Sequence, residues 1–409
     1  MKSLQPSLGR AAYWAAFGSA AIIILSIAVS NILLALSFAL LLMSGMRLRL
    51  PPIRWQLGLF VLGTVISLLA SVDPSPANPQ IRKFFVFLTL ITIYSTFRSA
   101  RQAAALLFTW TGLCTLAAAR SFLQFSGKVE HARRLGQNFY EYYVGERTTG
   151  FMSHWMTFGG EQMVVLLLVC GFLFWTRPKP AVRVCLGAAA SLIAASILLG
   201  LTRGIWLGTA AGGVYLLWHW KRWLLLAMPA VLVLGWLVAP ASVRERFTSS
   251  FRPHGEVDSN QHRIVTWRTG WEMIKAHPLL GLGPEQVNRQ FKRYVPPDIP
   301  QPLPTGWYGH LHNIYLHYAA ERGIPTMLML VWMLVAILRD FHRALASPGI
   351  GAESRGFLRG AAAAVIAIMT TGLFELNLGD SEVLILFLAV VACGYVVVES
   401  AKPMEPAHA

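Results

Sequence analysis

Twelve stretches of the chain are nearly free of charge and rich in Leu, Val, Ala, Ile and Phe. They lie at approximately 11–28, 31–46, 55–71, 84–97, 103–125, 156–176, 184–201, 205–220, 223–239, 314–338, 357–374 and 382–398. A helix needs roughly 20 mostly apolar residues to cross a bilayer, and each stretch is read as such a helix. Only residues 126–155 and 240–312 form long polar segments between them. In the second, Trp267 to Ile274 with Trp271 has the apolar spacing of a short amphipathic helix. Pro296-Pro297 and Pro300-Gln301-Pro302-Leu303-Pro304 then impose a stiff, extended course. At the N-terminus, apolar character runs from Ala11 to about Met43, broken only at Ser30-Asn31, with no small-x-small cleavage site. A two-helix hairpin is expected there rather than a leader.

Composition sharpens this picture. Hydrophobic residues make up 55% and charged residues 13% of 409, with a mean hydropathy of +0.52. An ordinary soluble domain carries about 25% charged residues, so disorder, a collagen-like fibre and a water-soluble enzyme are excluded. The fold class expected is an all-α integral membrane protein of about 12 transmembrane helices. The net charge of +16 would alone point to nucleic acid. Its distribution says otherwise. With twelve spans, one face collects both termini with 17 basic and four acidic residues, near +13, and the other face is near +3. Lys and Arg are retained on the cytoplasmic side, which places both termini there, both long segments outside, and removes nucleic acid as a partner. The resulting division is 1–239 for nine spans, 240–312 for a large outer loop carrying short helices, and 313–409 for three spans and a cytoplasmic tail. Cys114, Cys170, Cys185 and Cys393 sit in apolar runs and are expected to be buried free thiols.

The chemistry is expected at the outer boundary. The middles of the spans carry almost no charge, and Glu161 and Glu375 fall near outer span ends. A proton- or sodium-coupled transporter needs carboxylates near the midplane. Arg203, in Leu201-Thr202-Arg203-Gly204 between the seventh and eighth spans, opposes the charge bias. It either snorkels to lipid phosphate or clamps an anion with its planar fork. Arg263 and Arg268 stand five residues apart, about 140° apart on a helix, so only one of them is expected to face the site. The Gly281-Leu282-Gly283 turn is read as structural, with close approach to a phosphate as the sharper reading. Gly309-His310-Leu311-His312-Asn313 leads into a helix that Asn313 is placed to cap. Neutral His312 can accept a proton from a hydroxyl or serve structurally. His310 and His312 have no carboxylate or cysteine at ligand spacing, so no metal is expected. Glu321 is placed to orient partners or cap locally. Arg147, in Glu146-Arg147-Thr148-Thr149-Gly150, either contacts an anion or pairs with Glu146.

These motifs together resemble the O-antigen ligase / O-antigen polymerase superfamily. The resemblance rests on Arg147-x-x-Gly150-x-x-x-His154, Thr202-Arg203-Gly204, Arg263-x-x-x-Trp267, His277-Pro278-Leu279-Leu280-Gly281-Leu282-Gly283, and His312-Asn313-x-x-Leu316 with Glu321-x-Gly323. It covers residues from about 140 to 340. It implies a GT-C-like glycosyltransferase in the inner membrane of a Gram-negative bacterium, with the large loop and active site in the periplasm. The implied donor is a glycan on undecaprenyl diphosphate, and the ligase's acceptor is a sugar hydroxyl of lipid A–core. No cofactor, metal or nucleotide sugar is implied. Arg203, Arg263 and His312 are the implied catalytic residues. Arg147, Arg268, His310, Asn313 and Glu321 are expected to contact the diphosphate or the acceptor. His312 would act as base and the arginines would neutralise the leaving diphosphate, inverting the anomeric centre. An O-antigen polymerase extending glycan on the carrier and a non-enzymatic flippase or exporter are the alternatives.

Overall fold

The computed structural model describes residues 5–75, 78–248, 259–304, 306 and 308–401. Lys2, residues 249–258 of the large loop and the tail from residue 402 lie outside them. Among the described residues all regular structure is helical. An N-terminal group comprises α1 (Gln5–Ile22), α2 (Ile27–Met43), α3 (Arg54–Ala70), α4 (Asn78–Val86), α5 (Leu88–Thr96) and α6 (Ala100–Arg134). A central group follows with α7 (Phe139–Gly145), α8 (Trp155–Trp175), α9 (Pro180–Leu199), α10 (Arg203–Lys221) and α11 (Met228–Val238). The large loop supplies α12 (Ala241–Thr248), α13 (Ser259–Ala276) and α14 (Gln286–Gln290). The chain then returns through α15 (Ile314–Leu345), α16 (Ala352–Thr371) and α17 (Ser381–Ser400).

Among the described residues, five helices are long and apolar enough to cross a membrane: α6, α8, α9, α15 and α17. Others among the twelve stretches depart from one uninterrupted span. The fourth divides at Phe87 into α4 and α5, and the ninth becomes a 3-10 turn, Arg222–Ala227, followed by the 11-residue α11. The segment expected as a polar loop from residue 126 begins as helix, because α6 continues to Arg134. The N-terminal hairpin turns at residues 23–26, not at Ser30-Asn31. Ser26 caps α2, and Ser30 sits inside it because the hairpin satisfies its hydroxyl: Ser30 Oγ donates to the Ser19 carbonyl and Ser19 Oγ to that of Ser30, both at 2.9 Å. Cys114 and Cys393 are buried free thiols as expected, whereas Cys170 is half-buried and Cys185 exposed.

The centre is built from α8, α16 and α17. Along α8 and α17 most side chains are buried all round, and apolar residues such as Leu69, Leu123 and Val184 form the exterior. A helix hydrophobic on every side belongs in the middle of a bundle. Without water there is little hydrophobic drive between helices, so small residues that let backbones approach must hold them. A Cβ at Gly171 of α8 would stand 2.5 Å from the Gly360 amide nitrogen of α16. The loops sort to two ends of this bundle. One end gathers Arg49, Tyr94 and Glu399, with Arg49 and Tyr94 both bonded to Glu399. It also holds Arg359 and His342 on Tyr215 Oη. At the other end the turns before α8, α10, α15 and α17 converge on a cavity.

Candidate active site

Each wall of the cavity is set by a local rule. Asn313 is the N-cap of α15, accepting from the Tyr315 and Leu316 amides at 2.9 and 3.0 Å, while its Nδ2 donates to the Leu373 carbonyl. That use of both ends explains why it is buried. The residue before it, His312, has φ of 49°, a left-handed conformation that a non-glycine residue rarely adopts. Strain of this kind persists where the surroundings over-determine it, commonly at functional sites. The His312 amide donates to His310 Nδ1 at 3.2 Å, tying the two imidazoles together with ring centroids 4.1 Å apart.

The Gly-x-Gly loop is structural. Gly323 has φ of 80° and breaks α15, and Pro325 has no N–H for the Glu321 carbonyl. The loop supplies replacements: the Leu282 amide donates to the Ala320 carbonyl at 2.9 Å and the Gly283 amide to that of Glu321 at 2.8 Å. Ile324 N–H in turn donates to the Pro278 carbonyl at 2.8 Å. These amides serve the broken helix, and phosphate is not their partner. The pairing pins the large loop to α15.

The cavity, about 870 Å³, is lined by Arg147, His154, Trp155, Arg246, His262, His310, His312, His317, Glu321, Arg322 and Glu375, with Gln80 and Lys83 at the α4 side. In its wall Glu375 accepts from Arg263 Nη2, which stands behind it, at 2.9 Å through Oε1, and Glu375 Oε2 lies 3.6 Å from His312 Nδ1. The second distance exceeds a hydrogen bond. Catalytic contacts of this type commonly tighten when substrate binds. His312 Nε2 has no hydrogen-bond partner in the protein. A proton on Nδ1 directed at Glu375 leaves the Nε2 lone pair to take a proton.

Arginines gather beside this group. Arg147 donates to the Val144 carbonyl at 3.1 Å and to Thr202 Oγ1 at 3.4 Å, and its guanidinium lies 5.1 Å from the Trp155 ring centroid. Glu146 pairs with Lys128, so the Glu146–Arg147 ion pair does not form. Burial, with the neighbouring Arg246 cation adding to it, pushes Arg147 down to about 9. An anion would relieve that cost. Arg246 Nε donates to the Leu201 carbonyl at 3.0 Å. Burial together with the surrounding histidines pushes His310 down to about 3, so it is neutral at physiological pH. Burial also lowers His154, whose Nδ1 accepts the Met156 amide and caps α8.

Thus Arg147, His310, His312 and Glu321 line one cavity. Arg263 reaches it through Glu375. Arg203, at the start of α10, donates from Nη1 to Asn260 Oδ1 of α13 at 3.1 Å and stands behind the lining. Arg268 points the other way, to Asp298 at 2.8 Å on the surface, which settles which of the two α13 arginines faces inward. Glu321 forms no ion pair with an arginine; its Oε2 lies 3.4 Å from His317 Nε2, and the Glu285 backbone at the start of α14 is its other polar neighbour. In the sequence Glu375 stands out only as a carboxylate near a span end, and no local pattern marks Arg246, His262 or Arg322. Among the described residues, no group of three or more His, Cys, Asp or Glu is arranged to hold a metal ion. Residues 188–331, about a third of the chain, match the family model described as O-antigen ligase. A search of curated proteins gives no match.

Proposed function

We propose, from the membership of residues 188–331 in the O-antigen ligase family, that this membrane protein transfers a glycan from undecaprenyl diphosphate to a sugar hydroxyl of lipid A–core at the periplasmic face of the inner membrane. The observation that carries the reading is the Arg263–Glu375–His312 chain opening on a cavity flanked by Arg147 and Arg246. In the reaction the acceptor oxygen attacks the anomeric carbon while its proton passes to His312 Nε2. The bond from that carbon to the diphosphate oxygen breaks, and the electron pair leaves with the diphosphate. Glu375 orients the imidazole and balances the imidazolium, as a carboxylate does behind any histidine base. Arg147 and Arg246, with Arg203 and Arg263 behind them, supply fixed positive charge where the leaving group develops negative charge. A single displacement inverts the anomeric configuration. The cavity charges sit at one end of the bundle, above the glycine-packed contact of α8 with α16, which favours chemistry at a face over passage through the membrane.

The test is reconstitution with lipid-linked glycan and lipid A–core. Glycan on lipid A–core is expected from the wild type. His312→Ala is expected to lower turnover by about 10²–10⁴-fold with its melting temperature retained. Longer glycan on the carrier would replace the ligase by a polymerase, and full turnover of His312→Ala would remove the base.

A further inference from the structure

The α4 side of the cavity has a chemistry of its own. Arg322 is 3% exposed, and its guanidinium sits 3.9 Å from the Tyr318 ring centroid and 5.5 Å from that of Phe60. The two rings fix its plane. Nη2 donates to Gln80 Oε1 at 2.6 Å, and Nε and Nη1 have no hydrogen-bond partner. Among the described residues no carboxylate lies within ion-pair distance of it: Glu321 turns to His317, and Glu285 lies 3.8 Å from Lys83. Arg322, Gln80 and Lys83 all line the cavity.

Burying a cation with no carboxylate in ion-pair contact, Glu321 acting on it only from longer range, costs several kcal/mol even after relaxation, and an apolar residue would pack α15 on α3 without that cost. Arg322 is no part of the Arg263–Glu375–His312 chain, so the base does not require it. Gln80 takes one of the two Nη2 hydrogens, so one edge of the fork, the other Nη2 hydrogen with Nε or Nη1, is left to receive a phosphate or carboxylate in paired charge-assisted bonds.

We propose that Arg322, held by Gln80 and assisted by Lys83, forms a second anion subsite that takes a phosphate or carboxylate borne by a saccharide substrate, apart from the diphosphate that leaves. The proposal rests on the glycan-transfer reading and names what this enzyme selects. The acidic group belongs either to the acceptor or to the donor glycan, and both provide the same contact.

The experiment pairs substrates that differ in that group alone. Reconstituted wild type and Arg322→Met receive lipid A–core with and without its core phosphates, and lipid-linked glycan with and without an acidic sugar. In the pair that carries the recognised group, wild type is expected to prefer the charged member, and Arg322→Met to lower the charged-to-uncharged ratio of kcat/KM at least tenfold. The pair that responds identifies acceptor or donor. A ratio that Arg322→Met leaves unaltered in both pairs overturns the subsite. The ratio cancels any loss of folded protein, and Gln80→Ala, which frees the guanidinium from its holder, is expected to lower it by a smaller factor. Failure of the transfer reading itself would show as no wild-type product. The subsite is then read from thermal stabilisation by galactose 1-phosphate, galacturonic acid and galactose. Stabilisation by the acidic sugars that Arg322→Met abolishes supports the site; equal response of both proteins, or no acid-dependent response of the wild type, overturns it.

Discussion

At the residue scale, Glu375 decides how His312 works. Its carboxylate is shared between Arg263 and His312, so one substitution separates orientation from proton transfer. Glu375→Gln keeps the shape but lets the imidazole choose either tautomer. It is expected to lower kcat by about 10²–10⁴-fold, as loss of an orienting carboxylate does in a triad. A rate within twofold of wild type would leave His312 acting alone. His310 gives a stability prediction with a definite sign. Its folded value, about 3, is below the ordinary 6.5. Between those values the unfolded chain holds a proton that the folded chain refuses, so stability falls as pH drops from 6.5 towards 3, by up to about 1.4 kcal/mol per pH unit. Thermal unfolding at pH 7 and pH 5 is expected to show a larger fall for wild type than for His310→Gln. Parallel curves would contradict the burial of a neutral imidazole.

The element scale shows what the sequence could and could not reveal. Asn313 before an apolar run announces a helix start, and the structure caps α15 with it. The five-residue spacing of Arg263 and Arg268 predicts opposite directions, and α13 sends one to Glu375 and the other to Asp298. Both signals are local, as periodicity and capping always are. Glu375 and Arg322 were not legible because their roles depend on pairing across the fold: the Arg263–Glu375 bond spans 112 positions and the Arg322–Gln80 bond 242. The ninth stretch misled because hydropathy records the environment of a segment and not whether its backbone runs as one α-helix. The kink in α15 yields a third prediction. A Cβ on Gly323 would stand 2.0 Å from the Leu279 carbonyl oxygen, at a φ that L-residues resist. Gly323→Ala is expected to cost more than about 2 kcal/mol and to lower the melting temperature by several degrees. An unchanged melting temperature would mean that the loop is not fastened to the helix as described.

For the whole molecule, the sorting of loops to two ends leads to a statement about orientation. The proposed orientation, with the end richer in Lys and Arg facing the cytoplasm, assigns the Arg49–Glu399 end to that side, and the cavity opens at the opposite end. In a cysteine-free background, a cysteine at Ser347, between α15 and α16, is expected to react with an impermeant maleimide only after the inner membrane is opened. One at Asp298, in the large loop, is expected to react in spheroplasts. Reversed labelling would invert the placement of the cavity.

The length of α6 has a consequence for traffic. At 1.5 Å per residue its 35 residues reach about 52 Å, roughly 20 Å more than the hydrocarbon layer. Its C-terminal end rises on the cavity side, where Gln124 holds Gly150 and Phe125 sets its ring edge-to-face against the stacked rings of Phe139 and Tyr143, forming a post. Under the proposed function the post would act as a breakwater, turning lipid-tethered substrates towards the flanks of the cavity away from α6.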